Sequence, residues 1–393
     1  MATTLVLPWV AQATQRFVAA EAMREVLSLA IVSGKNVILF GPGGYGKSEL
    51  INDLLAAVTD GRTFVQSCGE GLDESRLYGG IDLAKLNDGT APVIQFNPER
   101  SFLAADFAVF EELFDAPTSV LLSLKDTLTA RCLRNGAQKF EMQTSLLVSA
   151  TNKEPGEVAE MGAAAQALIE RFPLQLRVAW ESYDAQDYLQ MFRSIDTERK
   201  GVKPLVILAE IRALREKSAM VSVPEPVLRI LAEIIAAAVA SGVIISPRTA
   251  VHARDLVRAS AAINNRAVAT KEDIVAIKYL PGCAELALKI SEEIESAAKR
   301  AAAEGQLREL ESAVAQVRQE FAEARASASP IKLLQAAKRA AQLGDALAKI
   351  ALTDNLADRR KAARESVAKI ATEAAAAALE ATRVEPARGV KSA

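Results

Sequence analysis

The feature that most constrains this chain is a short glycine-rich segment near its amino terminus. Residues 37–48 read VILFGPGGYGKS, so four apolar residues run directly into the pattern G-x-x-x-x-G-K-[ST]. Backbone N–H groups can wrap around a phosphate only where no side chain blocks them and where φ can be positive, which glycine permits. The pattern predicts a strand, a phosphate-binding loop and a helix start, and therefore an α/β fold.

The residues of this loop have distinct predicted roles. Lys47 is expected to reach the β and γ phosphates, and Ser48 to offer its hydroxyl to Mg²⁺. The helix that starts here would point its positive end at the anion. The alternative is a turn that only links a strand to a helix. Such a turn would not require so many residues to match the phosphate-binding pattern, so the alternative is disfavoured. The predicted nucleotide-binding residues of the loop are Gly41, Pro42, Gly43, Gly44, Tyr45, Gly46, Lys47, Ser48 and Glu49.

Composition limits the remaining classes of function. The chain has 393 residues, half of them hydrophobic, which is enough for two or three domains with a sizeable core. The net charge is −2 and aromatic residues make up only 5%, so nucleic acid is not an expected partner.

Cysteine spacing and hydropathy bear on the compartment. Cys68, Cys132 and Cys283 lie far apart without C-x-x-C spacing, which argues against a disulfide framework or a zinc site. The amino terminus lacks the basic region of a signal peptide, and the apolar run that begins at Ile230 is interrupted by Glu233. We therefore expect a cytoplasmic protein without membrane insertion.

The order of apolar segments predicts the architecture. Besides 37–40, strands are predicted within 63–68, 107–110, 145–152 and 172–180, with a helix over 21–31 before the glycine-rich loop. Strands separated by helical segments indicate a parallel sheet covered by helices on both faces. Strand signals stop after about residue 195.

The rest of the chain reads as helical. Residues 202–282 predict a small bundle, in which Pro224 and Pro226 open one helix and Pro247 opens another. Beyond Gly282 the chain is rich in alanine and charged residues at helical spacing. We predict an α/β nucleotide-binding core (1–195), an all-α lid (196–282) and a long Ala-rich extension (283–393), folded as a hairpin or coiled coil with a loose tail. Its alanine-rich face either docks another protein or packs on its own domain.

Two consecutive acids follow a predicted strand in the segment FAVFEE. Hydrolysis at a phosphate-binding loop requires an acid near Mg²⁺ and a carboxylate that polarises water, both at the end of the neighbouring strand. We expect Glu112 to polarise the water and Glu111 to face the metal. Glu111 is one methylene longer than the usual aspartate, so slow hydrolysis is expected. Asp106, which ends the apolar run SFLAAD, offers a competing register.

Three further residues are candidates for contacts with the γ phosphate. Asn152 ends the strand segment LLVSATN on the same predicted edge of the sheet, where its amide could bind the phosphate or the water. Arg171 precedes the fifth strand, and Arg248 opens a helix of the predicted lid. Guanidinium groups at such places can neutralise a transferring phosphoryl group, although isolated arginines are usually solvated surface residues.

The ordered motifs GPGGYGKS, FAVFEELFDAP, LLVSATN, ALIERF and ISPR make the chain similar to AAA+ ATPases of the MoxR group. The stretch SRLYGGIDLAKLND, at 75–88, resembles the RavA branch in particular. The similarity covers roughly residues 15–282, and leaves the C-terminal helices unassigned.

The resemblance implies a hexameric ring or spiral that binds ATP and Mg²⁺ between subunits. In that arrangement Asn152 would be sensor 1, Arg171 an arginine finger acting on the neighbouring subunit, and Arg248 the sensor 2 arginine. Segments matching 79–96 and 134–142 would face a central pore. Members of the group commonly act as chaperone-like remodellers with a partner that contains a von Willebrand factor A domain. Glu111 departs from the aspartate of the family.

These observations leave three functions open. The first is an ATPase that remodels or activates a protein partner through movements between subunits. The second is a scaffold in which slowly hydrolysed ATP holds subunits together. The third is a motor subunit of the chelatase type, which would drive metal insertion through a separate enzyme.

Overall fold

The computed structural model describes residues 3–83, 95–136, 138–179, 183–195, 203–350 and 356–384. The chain forms two compact units, Met1–Ser291 and Glu292–Ala393. The finer division of the first unit at residue 195 stays a prediction.

A five-stranded parallel sheet forms the centre of the first unit, with the order β3-β4-β7-β1-β8. All five strands predicted from the sequence are confirmed. Their bounds are β1 Val37–Phe40, β3 Thr63–Ser67, β4 Phe107–Glu111, β7 Leu146–Ala150 and β8 Leu174–Arg177.

Helices cover both faces of this sheet, as apolar residues in the strands require. Along β1, Val37 and Leu39 belong to one buried cluster, whereas Ile38 and Phe40 belong to another. Successive side chains of a strand point to opposite faces, so a strand that is buried on both reads as a continuous apolar run. This is why the strands were recognisable in the sequence.

The described helices of the first unit include the predicted helix before β1, which spans Glu21–Ser33, and continue into the predicted lid region. Pro226 lies in the first turn of α10 and Pro247 opens α11, as the sequence predicts. The bounds are α1 Pro8–Ala13, α2 Glu21–Ser33, α3 Lys47–Ala56, α4 Glu74–Leu77, α5 Thr118–Ala130, α6 Pro155–Glu160, α7 Ala163–Ile169, α8 Ala185–Ile195, α9 Leu208–Met220, α10 Glu225–Ala240 and α11 Pro247–Ile263, with a 3₁₀ segment at Lys271–Tyr279.

Two small sheets accompany the main one. β2 (Val58–Thr59) pairs in parallel with β9 (Val206–Ile207), so the expectation that strands stop near residue 195 is wrong. β5 (Cys132–Asn135) and β6 (Gln138–Glu141) form an antiparallel pair that overlaps the predicted 134–142 insert and begins two residues before it. In the other insert, Ile81 and Phe96 form an isolated antiparallel bridge. Residues 84–94 of that insert lie outside the described residues.

Within the described residues the C-terminal region forms three helices, which confirms the helical extension that the sequence predicts: α12 Ala284–Ala326, α13 Pro330–Lys349 and α14 Ala357–Val384. Leu307, Val317 and Leu347 are fully buried in their shared apolar cluster. Arg359 donates to Glu311 at 2.6 Å, and Arg318 donates to Ser366 at 2.6 Å. Both contacts join α12 to α14 with the same offset along the chain, so these two helices run in the same direction.

Candidate functional site

The loop between β1 and α3 has the backbone geometry that phosphate binding requires. Gly41, Gly44 and Gly46 have φ of 123°, 90° and 69°. A Cβ placed on Gly41 would lie 2.2 Å from the carbonyl oxygen of Val178, so only glycine fits there. Gly46 is the N-cap of α3, and no side chain caps this helix start. The N–H groups of the first turn, which have no partner within a helix, are therefore available to an anion.

Lys47 lies within this loop rather than in solvent. Lys47 is only 6% exposed. Its Nζ donates to the carbonyl oxygens of Gly41 at 2.5 Å and Pro42 at 2.8 Å. Burial lowers the pKa of Lys47, and the nearby carboxylates of Glu112 and Glu154 only partly oppose this effect. A bound phosphate would supply the negative charge that favours the protonated amine.

The two acids lie at the carboxyl edge of the sheet, beside the loop. Glu111 is the last residue of β4, and its carbonyl oxygen accepts from the N–H of Cys68 at 2.8 Å. Glu112 has a φ of 52°, and its N–H donates to the carbonyl oxygen of Ala150 at 2.8 Å. The left-handed conformation of Glu112 ends the extended backbone of β4 directly after Glu111.

Asn152 connects Glu112 to Lys47. Its backbone N–H donates to Oε2 of Glu112 at 2.9 Å, while its Oδ1 accepts from Nζ of Lys47 at 3.4 Å. The same amide lies 3.6 Å from the place of a Cβ on Gly43. The structure thus brings together residues from three predicted motifs.

Asp106 occupies the opposite edge of the sheet, so the competing register is wrong. It immediately precedes β4, where Oδ2 accepts from the N–H of Arg62 at 2.9 Å and Oδ1 from Arg212 at 2.8 Å. Because β4 is parallel to its neighbours, an acid at its amino end lies away from the loop that follows β1.

Four other residues were predicted to belong to the site. Two of them have partners outside the loop, and for the other two the structure gives the position and the exposure. Arg171 donates through Nε to Thr129 at 2.7 Å and pairs through Nη1 with Glu170 at 3.2 Å. Glu49, in the first turn of α3, pairs with Arg16 at 3.1 Å. Arg248 is exposed in the first turn of α11, and Ser48 is the partly exposed second residue of α3.

Sequence reasoning missed two aromatic neighbours of the loop. The ring of Phe17 lies 3.2 Å from the place of a Cβ on Gly46. The rings of Tyr45 and Tyr183 meet edge to face, with centroids 6.3 Å apart. Phe17 and Tyr183 are distant from the loop in sequence and no local pattern distinguishes them, so only the fold reveals these contacts.

The sequence analysis also missed Cys68 as a neighbour of the acids, although its position in the sequence could have indicated it. It directly follows β3, a predicted strand whose carboxyl end lies beside Glu111. Burial raises the pKa of the Cys68 thiol to about 12, and the charges of Asp115, Glu112 and Glu111 add to that shift. The thiol is therefore neutral at pH 7 and adds no charge beside the acids.

A family model described as the MoxR domain of MoxR–vWA–β-propeller ternary systems matches residues 5–216. The chain belongs to this MoxR family. Finer placement of this MoxR protein in the RavA branch stays a prediction. The family in general uses ATP and Mg²⁺. Ser48 and Glu111 carry oxygen atoms of the kind that Mg²⁺ prefers, and Mg²⁺ in such sites takes few protein ligands besides phosphate and water, so these residue types fit the ion. No group of three or more metal-binding side chains was found among the described residues.

Two similar proteins were identified besides the family model. The MoxR protein is 23% identical over 261 residues to an uncharacterized protein of Methanocaldococcus jannaschii, a match that spans 65% of this chain and 65% of that relative. It also resembles the crystal structure of a protein of Cytophaga hutchinsonii that is described as a proposed ATPase. That match has a TM-score of 0.55 at 19% identity and covers 70% of this chain and 85% of the other, which shows a shared fold.

The length and hydropathy of the helices bear on whether the chain crosses a membrane. Within the described ranges, none of the helices is both long and apolar enough to cross a membrane.

Proposed function

We propose that this MoxR protein is an ATP hydrolase whose subunits assemble into a hexameric ring or spiral, and that hydrolysis drives remodelling or activation of a protein partner. The observation that carries the proposal is the contact of Lys47, Glu112 and Asn152 at one edge of the sheet. Lys47 provides a cation for the phosphates and Glu112 a carboxylate for water. Asn152 contacts Lys47 through its side-chain oxygen and Glu112 through its backbone N–H.

Each residue has a role in this proposal. The N–H groups of the loop and Nζ of Lys47 bind the β and γ phosphates, and Ser48 and Glu111 hold Mg²⁺ directly or through its water shell. Mg²⁺, when bound, neutralises charge on the phosphates. Glu112 accepts the proton of the attacking water, and Asn152 orients that water relative to the γ phosphate.

Arg171 fits a role on a neighbouring subunit. Its contacts within the chain go to Thr129 and Glu170 rather than to the loop. A guanidinium group supplied by a neighbour typically raises phosphoryl-transfer rates by about 10³ to 10⁵. Arg248, exposed at the start of α11, is proposed to sense the γ phosphate from the lid region.

A partner is proposed from the family. The matching model is described by ternary systems of a MoxR domain with vWA and β-propeller proteins. We propose a von Willebrand factor A domain protein as the partner and the cytoplasm as the compartment.

Subunit mixing tests the proposal. Glu112→Gln and Arg171→Ala variants should each lose phosphate release, because one lacks the base and the other the neighbour's cation. Mixing them should restore activity, since about a quarter of the interfaces in a random equal mixture combine an intact Glu112 with an intact Arg171. No recovery, or a chain that remains monomeric with ATP and Mg²⁺, would contradict the proposed interface.

One feature favours a second function, a nucleotide-stabilised scaffold. Glu111 stands where the family has an aspartate, and its longer side chain changes the distance to the metal shell. In a scaffold, ATP would raise the melting temperature and the oligomer size without measurable turnover.

A further inference from the structure

The side chain of Arg171 is held at two of its three nitrogens. Nε donates to Oγ1 of Thr129 at 2.7 Å, and Nη1 pairs with Glu170 at 3.2 Å. The side chain is only 16% exposed. Within the described part of the chain no group accepts from Nη2, which leaves that nitrogen available to another molecule.

The hydroxyl of Thr129 is oriented for this contact. It donates to the carbonyl oxygen of Lys125, four residues earlier in α5, at 2.6 Å. A threonine hydroxyl has one proton and two lone pairs, so once the proton is used only acceptor sites remain for Nε of Arg171. The back-bond also fixes χ1, because it selects one of the two rotamers that threonine adopts in a helix.

The backbone of Arg171 is fixed as well. Its carbonyl oxygen accepts from Nδ2 of Asn36 at 2.8 Å, and Asn36 immediately precedes β1. The backbone is therefore tied to the central sheet, whereas the side chain is tied to α5. Together these contacts define both where the guanidinium lies and how its plane is turned.

We infer that Thr129 is a positioning residue for Arg171. It holds Nε and thereby sets the plane of the guanidinium group. In the proposed assembly, this plane presents the unpaired Nη2 to the γ phosphate of a neighbouring subunit. The inference rests on the proposed function, since it requires Arg171 to act between subunits. Guanidinium groups form planar, directed hydrogen bonds, so a rotated plane would misplace the donor even though the charge stays.

Three threonine variants test the inference by ATP turnover. Thr129→Val keeps the shape and removes the acceptor, and should lower kcat about tenfold while KM for ATP changes less than about twofold. Thr129→Ser keeps the acceptor and should retain most of the activity. Thr372→Val is the matched control: Thr372 makes the same back-bond, to Ala368 at 2.9 Å, without an arginine on its hydroxyl. It should have wild-type kinetics.

Mixing separates positioning from general damage. The catalytic site of a Thr129→Val subunit is intact, so a Glu112→Gln neighbour, which still offers a well-held Arg171, should restore its turnover. In an Arg171→Ala background, Thr129→Val should cause no further loss.

The outcomes distinguish the two proposals. If Arg171→Ala abolishes turnover and Thr129→Val does not lower it, the positioning role is overturned while the proposed function stands. If Arg171→Ala retains full turnover, the proposed interface fails and the inference fails with it. If Glu112→Gln subunits do not rescue Thr129→Val, its effect lies within its own chain, and the positioning role is likewise overturned.

Discussion

The backbone N–H of Asn152 donates a 2.9 Å hydrogen bond to the carboxylate of Glu112, which links the ends of two adjacent parallel strands. The bond holds one carboxylate oxygen, while the side-chain oxygen of Asn152 lies 3.4 Å from Nζ of Lys47. Asn152 therefore contacts both Glu112 and Lys47, the lysine that is proposed to bind phosphate.

Replacing Glu112 by Gln should abolish turnover and preserve binding. The amide oxygen can still accept from Asn152, so the fold is kept, but the side chain cannot take a proton from water. Loss of a general base costs about 10² to 10⁴ in rate. Phosphate release should fall by that factor, and ATP should still raise the melting temperature. Turnover within a few-fold of the native protein would assign the base to another residue.

Shortening Glu111 to Asp should raise turnover and leave ATP affinity similar. The aspartate restores the side-chain length that the family uses beside Mg²⁺, whereas ATP affinity depends mainly on the loop and Lys47. Single-turnover phosphate release and ATP titration measure the two quantities. Glu111→Gln is the control that removes the charge and should slow the reaction. A decrease in Glu111→Asp would mean that the site is adapted to the longer acid.

Replacing Gly41 by Ala should destabilise the loop and remove ATP binding. The added Cβ would meet the carbonyl oxygen of Val178 at 2.2 Å, at a φ of 123°. Gly44→Ala is the matched control, because its φ is 90° but nothing lies within 4 Å of the added carbon. Gly44→Ala should lower the free energy of unfolding only by the cost of a positive φ at a residue with a Cβ, about 1 to 2 kcal/mol. Thermal unfolding without nucleotide should show the larger loss for Gly41→Ala. Equal losses would contradict the steric role of Val178.

Stability should decrease between pH 7 and pH 5 because of His252, the only histidine. Burial lowers its pKa to about 4, and the charges of Lys35 and Arg248 add to the shift while Asp255 opposes it. In the unfolded chain the pKa is about 6.5. As the pH falls through this window the unfolded state binds a proton that the folded state does not, so the free energy of unfolding falls. The fall should be smaller than the full pKa difference implies, because His252 is partly exposed to solvent.

Urea denaturation at pH 7, 6 and 5 measures this dependence on pH. His252→Gln removes the titrating group and should flatten the curve over the same range. An unchanged slope in His252→Gln would assign the dependence to carboxylates instead.

The main sheet and the nucleotide loop were predictable because their signals are local. Each central strand is buried on both faces, so it appears as an uninterrupted apolar run, and the glycines of the loop follow from a backbone that must approach phosphate. Glu111, Glu112 and Asn152 could be placed near each other because parallel strands end at one edge.

Other features depend on contacts between distant segments. The pairing of Val58–Thr59 with Val206–Ile207 involves two residues on each side, too few to show a period. The sequence left Asp106 as an alternative to Glu111, and only the strand boundary placed it at the amino edge beside Arg212.

The sequence by itself determined the five strands of the main sheet, the helix before the glycine-rich loop, the loop itself and the MoxR relationship, since each rests on residues that are adjacent or regularly spaced. Only the tertiary structure decided the left-handed turn at Glu112, the burial of Cys68 beside the acids and the hold of Thr129 on Arg171. These features arise where segments far apart in the chain meet, and the energies that fix them depend on distance and burial rather than on local pattern.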